Sequence, residues 1–147
     1  MLVDVNVLIS FLIRPGSVTN TIYRAVRLAN SDRFLAIVPV KLLTELRDAP
    51  QKPTLSPFLT DRAIENLIVS TLLPSGLVVS TEQFSSLGAL EVVRDPKDRY
   101  LLEAAIQHDV DILVSGDKHL LVLARLLESP RIMSPADFVA EFGEADQ

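Results

Sequence analysis

Short, continuous apolar runs alternate with amphipathic stretches along this chain, and that alternation limits its fold more than any other feature. The runs are "LVDV", "FLAIV", "GLVVS", "DILVS" and "RIM". Runs this short, without polar alternation, read as strands buried on both faces. Between them lie helical patterns. "VTNTIYRAVRLAN" spaces Ile22, Val26 and Ala29 on one face, with Thr19 or Asn20 as cap. "PVKLLTELRDA" opens on Pro39 and groups Leu42, Leu43 and Leu46. "TDRAIENLIVSTLL" is capped by Thr60, "DPKDRYLLEAAIQHD" by Asp95 with Pro96 next, and "SPADFVAEF" by Ser134; "HLLVLARLLES" completes the set. The proline-rich "PQKPTLSP" at 50–57 is a loop. The order β-α-β-α-α-β-α-β-α-β-α predicts a three-layer α/β/α sandwich with a mostly parallel central sheet. A length of 147 residues fits one domain over 1–147.

Composition narrows the chemistry. There is no Cys, so disulfides, thiolate metal sites and thiol nucleophiles are excluded. No apolar run reaches the roughly 20 residues of a membrane span and no secretory pattern opens the chain, so a cytoplasmic protein is expected. The net charge of −5 argues against a protein that coats nucleic acid without specificity. It is compatible with a hydrolase whose site is built of carboxylates. No phosphate-binding glycine loop and no Gly-x-Ser-x-Gly elbow is present.

Ligands of open parallel sheets bind beyond the carboxyl ends of the strands. Asp4 and Asp117 both stand there, each directly after an apolar run. Either can be a turn or capping residue. Asp4, however, is followed by Val5, Val7, Leu8 and Ile9, where an uncompensated charge is costly. Glu45 borders the apolar face of its helix, though a surface glutamate would look the same. Asp98 precedes Leu101 and Leu102 by three and four positions and shares their inward stripe, while Asp95 is free to cap. Four converging carboxylates repel one another unless a cation sits among them. Oxygen ligands of this kind select a hard divalent ion, Mg²⁺ or Mn²⁺. With only His108 and His119 available, zinc is disfavoured; His108 reads as solvated and His119 as peripheral to the site.

The stretches "VDVNVLIS", "LLTEL", "RDPKDRYLLEAA" and "ILVSGDKHLL" resemble the four acidic motifs of PIN domains, in order. Among these the chain looks most like bacterial toxin components of the VapC-related type. The late "IMSPADFVAEF" is similar to the family's last strand and helix. The resemblance implies a PIN-like fold and Mg²⁺ or Mn²⁺ dependence. It also implies RNA as substrate, a homodimer and, for a toxin, a cognate antitoxin. It maps the acidic residues onto Asp4, Glu45, Asp98 and Asp117, with Asn6 and Ser115 supporting. Two positions depart from the pattern: Val5 replaces the usual threonine, and His119 stands where a further acid is common.

On this reading the carboxylates hold the metal for phosphodiester hydrolysis. Arg14, Lys97, Arg99 and Lys118 flank the motifs and are candidates for backbone phosphates. Two Tyr and no Trp leave little for base stacking. Two alternatives stay open. One is a PIN fold retained as a protein-binding module with little or no catalysis. The other is a phosphatase of the haloacid dehalogenase type, which would want a second acid where Asn6 stands.

Overall fold

A computed structural model describes residues 1–13, 20–80 and 96–143, with side chains in the last stretch from Arg99 onward. Arg14, Thr19 and Asp95 lie outside the described residues, as do the side chains of Lys97 and Asp98. The first strand is β1 (Leu2–Val3), and α1 (Val5–Ile13) follows it at once. This helix corrects the sequence reading, which ran the strand through Val5. Val5, Val7, Leu8 and Ile9 are all buried. A helix with so little polar surface has no amphipathic period to detect, and its β-branched residues mimic a strand.

The chain continues through α2 (Thr21–Ala29), β2 (Ala36–Pro39) and α3 (Val40–Asp48). The Asn20 side chain caps α2 by accepting from the Ile22 and Tyr23 amides, settling the choice between Thr19 and Asn20. A short 3₁₀ turn at Ala49–Gln51 and a run of turns occupy the proline-rich stretch, as expected. Thr60 caps α4 (Asp61–Leu67), which runs through a π turn at Ile68–Leu72 into α5 (Leu73–Ser75). Strand β3 (Gly76–Val79) follows without a linker. A Cβ on Gly76 would collide with the Leu72 carbonyl oxygen, so this abrupt exit needs glycine.

Helix α6 (Pro96–Gln107) starts at the expected proline and closes on Asp109 in the left-handed region at φ 51°. Its end is tied to β3: His108 Nε2 lies 3.0 Å from the Ser80 carbonyl oxygen, a contact the sequence did not suggest. Then come β4 (Ile112–Val114), α7 (Lys118–Leu123), β5 (Arg131–Met133) and α8 (Pro135–Phe142). Helix α7 is shorter than its apolar run suggested. Ser134 Oγ caps α8 through the Asp137 amide at 3.1 Å, as predicted.

All described strand pairings are parallel: β1 with β4, β4 with β5, and β2 with β3. The Ile37 amide donates to the Met1 carbonyl at 2.7 Å and joins the two groups. The resulting order is β3-β2-β1-β4-β5, within the expected α/β/α sandwich. Strands β1, β2 and β4 are buried throughout. β3, at the end of this order, is not: Leu77 and Val78 are 51% and 41% exposed among the described residues.

This order fixes where a ligand can enter. From β1 the chain moves outward to β2 and β3, then returns across β1 to place β4 on its other side. The connections therefore diverge between β1 and β4, and the crevice beyond their carboxyl ends is the switch point where such sheets bind ligands. Asp4 and Ser115 are the residues that follow β1 and β4 there.

Candidate active site

Asp4 leaves β1 with its amide still in the sheet, donating to the Val114 carbonyl at 2.9 Å. Its own carbonyl accepts from Val7 and Leu8 and so starts α1. Its Oδ1 accepts from the Asn6 amide at 3.3 Å. Asp4 is therefore a helix cap, the modest role a turn-forming aspartate would have. Yet the residue is only 3% exposed, and its second oxygen is held across the sheet. Ser115 Oγ, fully buried, donates to Asp4 Oδ2 at 2.7 Å. The same hydroxyl accepts the Asp117 amide at 3.0 Å. One serine thus joins two acids that are more than a hundred positions apart in sequence.

Asp117 also combines two roles. Its Oδ1 caps α7 through the His119 amide at 2.8 Å, while the residue stays half-buried beside Asp4. The positive ends of α1 and α7 both meet this corner, which favours anions there.

Burial is the main force raising the Asp4 carboxyl above its ordinary range, and the charge of Asp117 adds to it. Hydrogen bonds from Ser115 and from the Asn6 and Val5 amides oppose this without cancelling it. Glu45, half-buried on α3, is raised as well, first by burial and then by the charge of Asp4. Tyr100 and the cations of Lys41 and Lys52 pull it the other way. Asp4, Asp117 and Glu45 therefore belong to one electrostatic unit.

A cleft of about 270 Å³ opens at this corner, lined by Asn6, Val7 and Ser10 of α1, Ile22 of α2, Gly116, Asp117 and Pro135. The exposed Asn6 side chain is on its wall, while the described bond to Asp4 comes from the Asn6 backbone. A Cβ added at Gly116 would meet no atom within 4 Å, so packing does not demand glycine there. Its consequence is an open floor beside Asp117. A larger recess of about 550 Å³ lies between α7, β5 and α8. Its Glu141 is already clasped by Arg131, which makes it a poor place for acid chemistry.

The remaining predicted residues divide. Asp98 occupies the third position of α6, where the sequence placed it, and the Leu101 and Leu102 that share its stripe are buried. Arg99, Lys118 and His119 are exposed. Tyr100, Lys41 and Lys52 were not singled out from the sequence. The four-residue spacing of Lys41 and Glu45 on one helix was the available clue.

The donor set suits a hard divalent cation: oxygen ligands, no thiolate, and carboxylates that raise one another's proton affinity. Among the described residues, no three His, Asp or Glu side chains gather as a ready metal cage, and the Asp98 side chain lies outside that set. Among the described residues, too, no helix is long and apolar enough to cross a membrane.

Comparison with curated proteins and with solved structures found no match. The family model for the PIN domain matches residues 1–119, which include Asp4, Glu45, Asp98 and Asp117. PIN domains are in general nucleases that use divalent metals, and the haloacid dehalogenase alternative falls away. On this match over most of its length, the chain belongs to the PIN domain family.

Proposed function

We propose that the protein is a metal-dependent endoribonuclease, and that it serves as the toxin component of a VapC-related toxin–antitoxin pair. The observation that carries the catalytic part is Asp4: a carboxylate 3% exposed, with another acid as its neighbour and, among the described residues, no arginine or lysine among its charged influences. A charge so placed is costly unless something compensates it, and such groups mark functional sites.

Asp4, Asp117 and Glu45 would hold Mg²⁺ or Mn²⁺, with Asp98 contributing from α6. A divalent ion held there activates water and neutralises charge on the scissile phosphate. The chain's own part is positioning. Ser115 fixes the Asp4 carboxylate and, through the Asp117 amide, the loop that carries the second acid. Glu45, with its raised proton affinity, stands ready to exchange a proton at the edge of the site. The opening at Gly116 lets the substrate backbone come close to Asp117. Cleavage of RNA, assembly as a homodimer, an antitoxin partner and a cytoplasmic location belong to the same proposal.

A second reading, a PIN fold kept for protein binding, is favoured by Val5, which is buried where the family commonly has a threonine hydroxyl. The two separate cleanly. With Mg²⁺ or Mn²⁺ present, the wild type should cut single-stranded RNA, while Asp4→Asn and Asp98→Asn should fold normally and not cut. Full cleavage by both variants would end the proposal that these carboxylates carry the reaction. A folded wild type that binds no Mn²⁺ and cuts nothing would favour the binding module.

A further inference from the structure

A polyanion that approaches an acidic pocket on a protein of charge −5 needs cations at the rim. Lys118 and Arg99, which flank the motifs, are exposed. Lys41, also exposed, has an aromatic seat beside the acids. It lies one helical turn before Glu45 on α3, so both side chains project from the same face. Its ammonium sits 4.9 Å from the centre of the Tyr100 ring. Tyr100 is 3% exposed and belongs to α6, so the ring is a rigid seat. Lys52, in the turns after α3, acts on Glu45 with the same sign as Lys41. Both lysines are exposed.

We infer that Lys41, seated on the Tyr100 ring, and Lys52 form the phosphate-binding rim that holds the backbone of single-stranded RNA beside Glu45. This rests on the nuclease reading and adds to it the residues that grip the substrate. Lysine supplies a point charge without base readout, so the rim holds any sequence equally. Pre-seating of Lys41 on an aromatic face lowers the ordering cost of that contact.

The test measures binding of a fluorescein-labelled single-stranded RNA to the full-length protein in Mg²⁺ buffer, in the Asp4→Asn background so that the RNA is not consumed. Adding Lys41→Gln or Lys52→Gln should weaken binding several-fold, equally for unrelated sequences. Each should also flatten the plot of log affinity against log salt by about 0.7. In the cleaving enzyme the same changes should raise KM several-fold. Tyr100→Phe, which keeps the ring, should retain affinity. Wild-type affinity and salt slope in both lysine variants would overturn the inference, and so would an RNA that does not bind at all. Cleavage that survives in Asp4→Asn would instead overturn the assignment of the reaction to Asp4, and the KM of the lysine variants would still decide the rim.

Discussion

The acids at the β1–β4 corner and those on the outer surface have opposite circumstances. Glu141 on α8 is held by both terminal nitrogens of Arg131, at 2.9 and 2.6 Å, and Glu65 meets Arg47 at 2.8 Å. In both pairs the hydrogen bond from arginine pulls the carboxyl below its ordinary range. Asp4 and Glu45 move the other way, chiefly through burial. The protein thus pairs acids with arginine where water already screens them. In its interior corner, where a charge costs most, it sets acid beside acid. Exposed pairs of the first kind add little to stability. The second arrangement persists because something other than stability requires it.

The sharpest way to break this contrast is Asp4→Asn. Cleavage of RNA should fall at least about 10²-fold, since a preorganised charge at the reacting centre is lost. Arg131→Ala should leave the rate unchanged. Equal losses in the two variants would erase the distinction between the regions.

Ser115→Ala comes next. It removes the donor to Asp4 Oδ2 and the acceptor for the Asp117 amide without touching either carboxylate. Losing one such supporting hydroxyl costs roughly 10–100-fold in activity or metal affinity. The buried Asp4 carboxylate and the Asp117 amide left without this partner should cost about 1–3 kcal/mol in a urea melt. An active, equally stable Ser115→Ala variant would show that Asp4 is not held from β4.

The third contrast is in pH. For metal-free protein, folding raises the Asp4 and Glu45 pKa values above their ordinary 3.8 and 4.5. The folded state then binds more protons than the unfolded chain, so stability falls as pH rises through and above those values. Asp4→Asn removes part of that loss. Its melting temperature should exceed that of wild type at neutral pH, with the gap closing toward pH 4. For Glu141, lowered by Arg131, the sign reverses: its contribution is present at neutral pH and is lost on acidification. A Glu141→Gln variant should therefore differ most from wild type at neutral pH, in the destabilising direction.

The smallest effect is expected at Gly116. An alanine fits the folded protein without a clash, so the melting temperature should stay put. A bulkier Gly116→Val should narrow the floor beside Asp117 and raise KM. Unchanged kinetics in Gly116→Val would show that substrate does not approach there.

Much of this was legible beforehand, for identifiable reasons. Strands β2, β4 and β5 announced themselves as short apolar runs, and the caps Asn20, Thr60 and Ser134 through side chains that accept amides locally. Local signals were enough because these features are local. Helix α1 was hidden because a fully buried helix has no polar face to set its period. The exposed β3 was misread because an apolar run looks the same at the edge of a sheet as at its centre. Asp4 and Asp117 were recognised at the strand ends, where each turned out to cap a helix as well as to face the site. Ser115 was expected beside Asp117 by resemblance alone, and its bond to Asp4 was not foreseen, since nothing local ties residue 115 to residue 4. The seat of Lys41 on Tyr100 requires α3 and α6 to be docked, which no single stretch of sequence encodes.

The most direct measurement is a calorimetric titration of the metal-free protein with Mn²⁺ at neutral pH, for wild type, Asp4→Asn and Glu141→Gln. Wild type and Glu141→Gln should show the same saturable binding, and Asp4→Asn should show almost none. Equal Mn²⁺ binding by wild type and Asp4→Asn would contradict the claim that the buried corner exists to receive a cation.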